Sequence, residues 1–293
     1  FATLEHRLAN DWVIKGQYNH QINGYDAPLG SVSPDTPTVS SIYSRKYTGE
    51  TTSDSGDLYA TGPFSLFGRS HELVVGASYR RDDTNDGPGG GPDEGFSYVV
   101  DPTDFHYKDV AKPTIDYNWS RKGKVDQSSA YTAVRFSLRD DLKLILGSRL
   151  DWYQYQQQTE VGAFAFGADY KATREVTPYA GLIYDLNDTY SVYTSWTRIF
   201  KPQEYQNSSG GLLAPVTGTN YEAGLKAEYF GGALNASFAL FQLNQENLAK
   251  SLPSSDCPAM DACYEAAGEV RTRGVELELG GELAPGWQAS AGY

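Results

Sequence analysis

Long runs of alternating polarity, joined by connections that are short and long by turns, constrain this chain more than any other feature. In "LKLILGSRLDWYQY", Leu142, Leu144, Leu146 and Leu150 share one parity and Trp152 ends the row, while Lys143, Gly147, Arg149 and Asp151 share the other. Period-two alternation marks a strand with one apolar and one wet face. The runs reach about 10–14 residues, whereas strands of soluble domains mostly have about 5–6. A tilted strand of about 9–11 residues crosses a bilayer. Tight turns fall at Asn10-Asp11, Asp140-Asp141, Asn187-Asp188, Gly231-Gly232 and Ala284-Pro285-Gly286, and polar, Gly/Pro/Ser-rich segments at 23–44, 84–127, 156–172, 200–216 and 248–267. Such long connections are uncommon in compact domains. Their regular exchange with tight turns suits an all-β, antiparallel transmembrane β-barrel with short periplasmic turns and long extracellular loops. About twelve strands are expected on this pattern.

Aromatic placement agrees. In "YEAGLKAEYF", Tyr221, Ala223, Leu225, Ala227 and Tyr229 form one face, with a tyrosine at each end. Tyrosine prefers the headgroup level on either side of a hydrocarbon band, so Tyr221 and Tyr229 are read as the two girdles of one lipid-facing strand. A mean hydropathy of −0.50 does not oppose this, because a barrel spreads its apolar residues over alternate positions. No run of about 18 apolar residues offers a transmembrane helix. With Lys+Arg 24 against Asp+Glu 37, a formal net charge of −13 argues against a nucleic-acid partner. The 22 tyrosines and 30 glycines with a single methionine favour strands and turns over helices.

Cys257 and Cys263 lie in "SSDCPAMDACYE". Five intervening residues in a Pro- and Asp-containing loop suit a local disulfide and do not match the C-x-x-C pairs of zinc or thiol-redox sites. That disulfide implies an oxidising compartment or the cell surface. No signal peptide opens the chain, since "FATLEHRLAN" already reads as a strand, and the chain is expected to be a fragment.

Catalytic and metal motifs are weak. In "RRDDTNDGPGGGPDEG", Asp82, Asp86, Gly87 and Asp93 loosely resemble a calcium loop, but Thr84 stands at position three and Asp93 at position twelve; a flexible, solvated acidic tip is expected instead. His6, His20, His71 and His106 have no ligand spacing, and neither H-E-x-x-H nor a G-x-S-x-G elbow occurs. Metal ligands from the protein, and enzyme activity, are not expected.

Three segments, "TPYAGLIYDLNDTYSVYTSWTRIFKPQ", "GTNYEAGLKAEYFGGALNASFALFQLNQENL" and "AAGEVRTRGVELELGGELAPGWQASAGY", resemble the TonB-dependent siderophore receptors of Gram-negative outer membranes. Their order, their turns and the Phe200–Gln203 end carry the resemblance; the first 170 residues fit only as generic barrel. The resemblance implies that 1–293 is part of a barrel of about 22 strands, lacking the plug domain, the first strands and the last ones. It implies import of a ferric siderophore driven by the TonB–ExbB–ExbD complex through that plug. Outer-membrane lipid and lipopolysaccharide are the implied surroundings. No cofactor is implied, since the iron is carried by the siderophore ligand. The alternatives are a passive porin-type channel for small polar solutes and a soluble surface-binding β-domain.

A large, partly aromatic chelate needs flat side chains in a vestibule and a few charges to orient it. The segment 96–119 is dense in aromatics, and Tyr98, Phe105, Tyr107, Tyr117 and Trp119 are candidates from it. Tyr153 and Tyr155 lie on the wet parity where their strand leaves the membrane, and Tyr205 follows the next long segment's entry. Arg80 and Arg198 near the external ends could pair with an anionic chelate. Arg149 is expected to serve a charge pair in the wall.

Overall fold

The computed structural model describes residues 1–36, 39–92, 98–100, 114–257 and 262–293. These form one antiparallel sheet, built from β1 (Ala2–Arg7), β2 (Val13–Thr36), β3 (Val39–Leu66), β4 (Arg69–Pro92), β5 (Tyr98–Val100), β6 (Ile115–Ser137), β7 (Leu142–Val161), β8 (Phe164–Asp185), β9 (Tyr190–Lys201), β10 (Val216–Tyr229), β11 (Leu234–Ser251), β12 (Tyr264–Ala284) and β13 (Trp287–Gly292). Neighbours in sequence pair in order, except that the short β5 pairs with β3 and so lies off the path. The twelve-strand path follows the expected count, and β1 and β13 form the sheet's two edges.

The turns expected at Asn10-Asp11, Asp140-Asp141, Asn187-Asp188 and Gly231-Gly232 fall between strands, and a further, unexpected tight turn lies at Phe67-Gly68. Asp11 (φ 63) and the pair Phe67 (φ 52) and Gly68 (φ 76) adopt the left-handed backbone that tight hairpins require. At the β8–β9 turn, the Asn187 carboxamide oxygen accepts from the backbone N–H groups of Thr189 and Tyr190, both at 2.9 Å.

The segment 200–216 lies between β9 and β10 as expected, but other long segments differ from expectation: the described residues of 23–44 and nearly all those of 84–127 are strand. Strand β3 has 28 residues and β7 has 20, against the 10–14 that alternation suggested. The span 156–172 is not a loop: β7 and β8 continue pairing up to Val161↔Phe164. The acidic "tip" around Asp82 and Asp86 is strand β4, paired with β3 and β6. Above the girdle both faces are polar, so apolar periodicity vanishes although the ladder continues.

Register explains the two faces, because direct cross-strand partners share a face. Tyr18, Gly56, Tyr79, Ser128 and Trp152 make one continuous row. Farther along the same face, Trp196 pairs with Tyr221. Toward the turns, this face carries Leu58, Val75, Leu146, Leu182, Leu225, Phe238 and Leu277, all exposed. At the turn end Tyr190 and Tyr229 meet edge to face, ring centroids 6.0 Å apart. An apolar band between two aromatic rows is the lipid-facing surface anticipated for Tyr221 and Tyr229. The accessible surface of 18694 Å² far exceeds the roughly 12,300 Å² of a compact soluble monomer of this mass, so the sheet closes on no core of its own.

The polar face uses a repeated device. Tyr131 lies over Gly76, Tyr179 over Gly147, Tyr193 over Gly224 and Phe241 over Gly274, each ring across from its glycine. A Cβ at Gly147 would run into the Tyr179 ring. The missing side chain lets an aromatic ring lie along the wall and shield the backbone. Gly147→Val should therefore destabilise the protein by about 1–3 kcal/mol, the usual scale of overpacking, seen as a lower urea midpoint. Adding Tyr179→Ala should recover part of the loss.

Candidate functional site

The candidate site is built from rows of the polar face that continue past the Trp152 girdle. The last charged row at membrane level holds Arg149, whose Nε donates to Asp151 Oδ1 at 3.0 Å. Gln127 Nε2 donates to the same oxygen at 3.0 Å, and Ser78 and Ser129 hydroxyls meet at 2.7 Å. Arg149 thus serves the wall, as expected.

The next rows form a tyrosine-lined wall. Arg80, Gln127, Tyr153 and Ala172 are successive partners across β4, β6, β7 and β8. Above them run Asp82, Val125, Tyr155 and Tyr170. The Tyr153 and Tyr170 rings lie 6.0 Å apart, and Arg80 pairs with Asp82 at 2.6 Å. Tyr155 is 6% exposed. Burial, and then the nearby Glu204 carboxylate, push the Tyr153 phenol up to about 12. The same two causes, in the same order, raise Tyr155, and burial raises Tyr170. These hydroxyls remain neutral donors and acceptors throughout the physiological range.

Higher still, Tyr25, Gly49, Asp86, Arg121 and Thr159 form a third group of partners. The Arg121 Nε donates to Asp86 Oδ2 at 3.0 Å, and the Tyr25 hydroxyl donates to Asp86 Oδ1 at 3.0 Å. Asp86 is 4% exposed. It is an ion-pair partner in a strand, where the sequence suggested a solvated tip. Above this row Trp119 meets the Tyr47 ring edge to face at 5.5 Å.

The structure brings Arg80, Tyr153 and Tyr155 together and sets Trp119 and the exposed Tyr117 apart from them. Trp119 pairs with Val161, eight residues along β7 from Tyr153, which is about 26 Å at 3.3 Å per residue. Tyr205 belongs to neither group: it stacks on Tyr264 at 4.6 Å. Its neighbour Glu204 is the residue whose charge reaches Tyr153 and Tyr155. Arg198 corrects the expectation for it. Its partner is Thr219, one step above the Trp196–Tyr221 pair on the lipid-facing parity. Tyr98 starts β5 opposite Ile42; Phe105 and Tyr107 lie outside the described residues.

The segment between β9 and β10 is held in place. Gln203 Nε2 donates to the carbonyls of Ala214 and Asn247. Asn207 Oδ1 accepts from the N–H groups of Ser209 and Gly211, both at 3.0 Å. Tyr264 N–H donates to Gln206 O at 2.9 Å. Beside it Cys257 and Cys263 form the expected disulfide, with Cα atoms 5.6 Å apart.

Sequence reasoning missed Tyr25, Tyr47, Arg121, Tyr170 and Glu204. Four of these five sit on strands, and the signal was parity: Trp119, Arg121, Tyr153 and Tyr155 continue the wet face without a break.

The whole chain, residues 1–293, matches the model of the TonB dependent receptor-like β-barrel. The chain belongs to the TonB-dependent receptor family. Among its relatives, the ferripyoverdine receptor of Pseudomonas aeruginosa is 41% identical over 319 residues, covering 100% of this chain and 36% of the relative. The crystal structure of the outer-membrane ferripyoverdine receptor of that organism, bound to ferripyoverdine, superposes with a TM-score of 0.84 at 40% identity, covering 99% of this chain and 39% of that one. The alcaligin outer-membrane receptor of Bordetella pertussis gives 0.69 at 30% identity, covering 99% and 44%. The chain thus spans little more than a third of the length of such a relative. It is an outer-membrane β-barrel chain of a Gram-negative receptor type, with the polar face as lumen wall and the apolar face toward lipid.

Tyr153 and Tyr155 supply a pH test. Their pKa values are raised from 10.0, so any stability they contribute is full below pH 10 and is lost as pH rises through the folded values. Replacing both by Phe should leave tyrosinate absorbance unchanged at pH 10 and lower it only near and above about pH 12.

Proposed function

We propose that this chain forms the wall and outer vestibule of a receptor that binds a ferric siderophore from outside and passes it inward with TonB-coupled energy. The observation that carries the reading is the tyrosine-lined lumen wall: Tyr153, Tyr155 and Tyr170 beside Arg80 and Glu204. Flat phenols give a chelate apolar contact and a polar edge at once. The relatives named ferripyoverdine receptor and ferric-pyoverdine receptor support a ferric chelate of the pyoverdine class. The iron is cargo: it arrives already coordinated by the siderophore, so the vestibule recognises the chelate's outer surface and no cofactor takes part. Nothing in this chemistry breaks a covalent bond, and no enzyme activity is assigned.

The ligand would engage two levels. Trp119 and Tyr47 stand at the rim, where a flat ring of the ligand can stack first. Arg80 and the tyrosines lie at the floor, where an anionic or hydroxyl-rich part can be held. The separation of about 26 Å between them suits stepwise descent of an extended ligand. Energy coupling through TonB belongs to the same proposal and rests on the family alone.

The test is a titration of the detergent-solubilised receptor carrying this chain with ferric and iron-free siderophores, followed by tryptophan quenching. Saturable sub-micromolar binding of one ferric pyoverdine-type chelate is expected. Tyr153→Ala or Trp119→Ala should each weaken it by up to about tenfold, the worth of one aromatic contact. Open-state conductance in planar bilayers with no chelate binding would replace this reading by the passive channel.

A further inference from the structure

The lipid-facing surface of β9 to β12 ends in a feature that import does not use. On this face, rows are set by register. Val192, Leu225, Phe238 and Leu277 are successive partners, all apolar. Two rows higher come Trp196, Tyr221, Gln242 and Arg273. The next row is Arg198, Thr219, Asn244 and Arg271. Three arginines therefore crown the apolar band, at and directly above its aromatic girdle, on the side away from the lumen.

Their surroundings differ from those of Arg81 on the same face. Arg81, in the row above Tyr79, is paired with Asp83 at 2.7 Å. Among the described residues, Arg198, Arg271 and Arg273 are in no ion pair, and all three are exposed. Arg273 Nε donates to Gln242 Oε1 at 2.8 Å, and Arg271 Nε donates to Asn244 Oδ1 at 3.0 Å. Each neutral amide thus holds a guanidinium through its Nε, and the terminal nitrogens have no hydrogen-bond partner among the described residues. The outward carboxylates Glu246 and Glu269 lie farther from the apolar band.

We infer that Arg198, Arg271 and Arg273 form a binding site for the phosphate head group of an outer-leaflet lipid, whose acyl chains lie on the apolar rows below. The chemistry is specific in three respects. A guanidinium fork matches phosphate oxygens in bidentate geometry. A charge at the girdle level faces headgroups, where an unpaired cation needs an anion. An occupant must also be amphiphilic, because the arginines and the apolar rows are parts of one continuous surface. Arg198 and Arg271 stand three strands apart, about 14 Å at 4.8 Å per strand, wide enough for a headgroup carrying more than one phosphate.

The inference is independent of siderophore binding, and its test needs no chelate. The receptor carrying this chain is purified in mild detergent, stripped of lipid, and titrated with diphosphorylated lipid A by native mass spectrometry. Saturable binding is expected, weakened by about tenfold or more in Arg271→Ala/Arg273→Ala and by less in Arg271→Lys/Arg273→Lys, which keeps charge and loses the fork. Arg81→Ala, on the same face but ion-paired, should bind like the unmodified receptor. Equal binding of the same lipid after removal of its phosphates would overturn the inference. So would unchanged binding in the double alanine variant with its fold intact, an equal loss in Arg81→Ala, or displacement by inorganic phosphate at the lipid's own concentration.

Discussion

Everything in this molecule hangs on the cross-strand hydrogen-bond ladder and the register it imposes. The sheet has almost no interior: few residues are buried, and large apolar side chains stand exposed on one face. What replaces a core is pairing, strand to strand, from β1 to β13. In lipid an unpaired backbone group costs several kcal/mol, so a whole strand cannot slip past its neighbour. A shift by one residue would carry Arg149 and Asp151 into the hydrocarbon and turn Leu150 and Trp152 toward the lumen. Register therefore assigns each side chain to lipid, lumen or vestibule, and it does so without help from tertiary packing.

The strands that cross the bilayer were legible because lipid on one side and water on the other leave a period-two trace. Leu142 to Trp152 shows it plainly, and the turns at Asn10-Asp11 and Asn187-Asp188 carry their own chemistry. Beyond the girdle that trace fades. Gln154, Gln156 and Gln158 face outward and Tyr155, Gln157 and Thr159 inward, so hydropathy no longer separates the faces and the sequence of a strand looks like that of a loop. Arg198 was misplaced for a related reason. Nearness to an external end says nothing about face, whereas counting from Trp196 by twos does. The site was half legible: Arg80, Tyr153 and Tyr155 follow from parity, but Glu204 reaches them from a segment between strands, and no local pattern in a sequence reports such a reach.

The glycines opposite Tyr131, Tyr179, Tyr193 and Phe241 show how a wide lumen wall stays regular. Each pairing lays a ring on the neighbouring strand rather than pointing it across the lumen. The ring shields the backbone beneath, and a tyrosine ring also keeps its edge polar, as where the Tyr131 hydroxyl donates to both Asp57 oxygens at 3.0 Å. The lumen wall is thereby both hydrogen-bonded and unobstructed.

The continuation of β2 to β8 as paired strands above the membrane has a thermodynamic meaning for recognition. A vestibule made of slack loops would have to be ordered by each ligand, at roughly 1–2 kcal/mol per residue fixed. Here the ladder has met that cost during folding, before any ligand arrives. Affinity can then rest on a modest number of contacts, and dissociation need not wait for a loop to unfold. On the proposed reading of this wall, exchanging an inward residue such as Tyr153 or Tyr170 would change what is recognised at one rung while the neighbouring rungs keep their places. A paired wall is in this sense a substitutable surface, on which ligand preference can drift without the architecture being renegotiated.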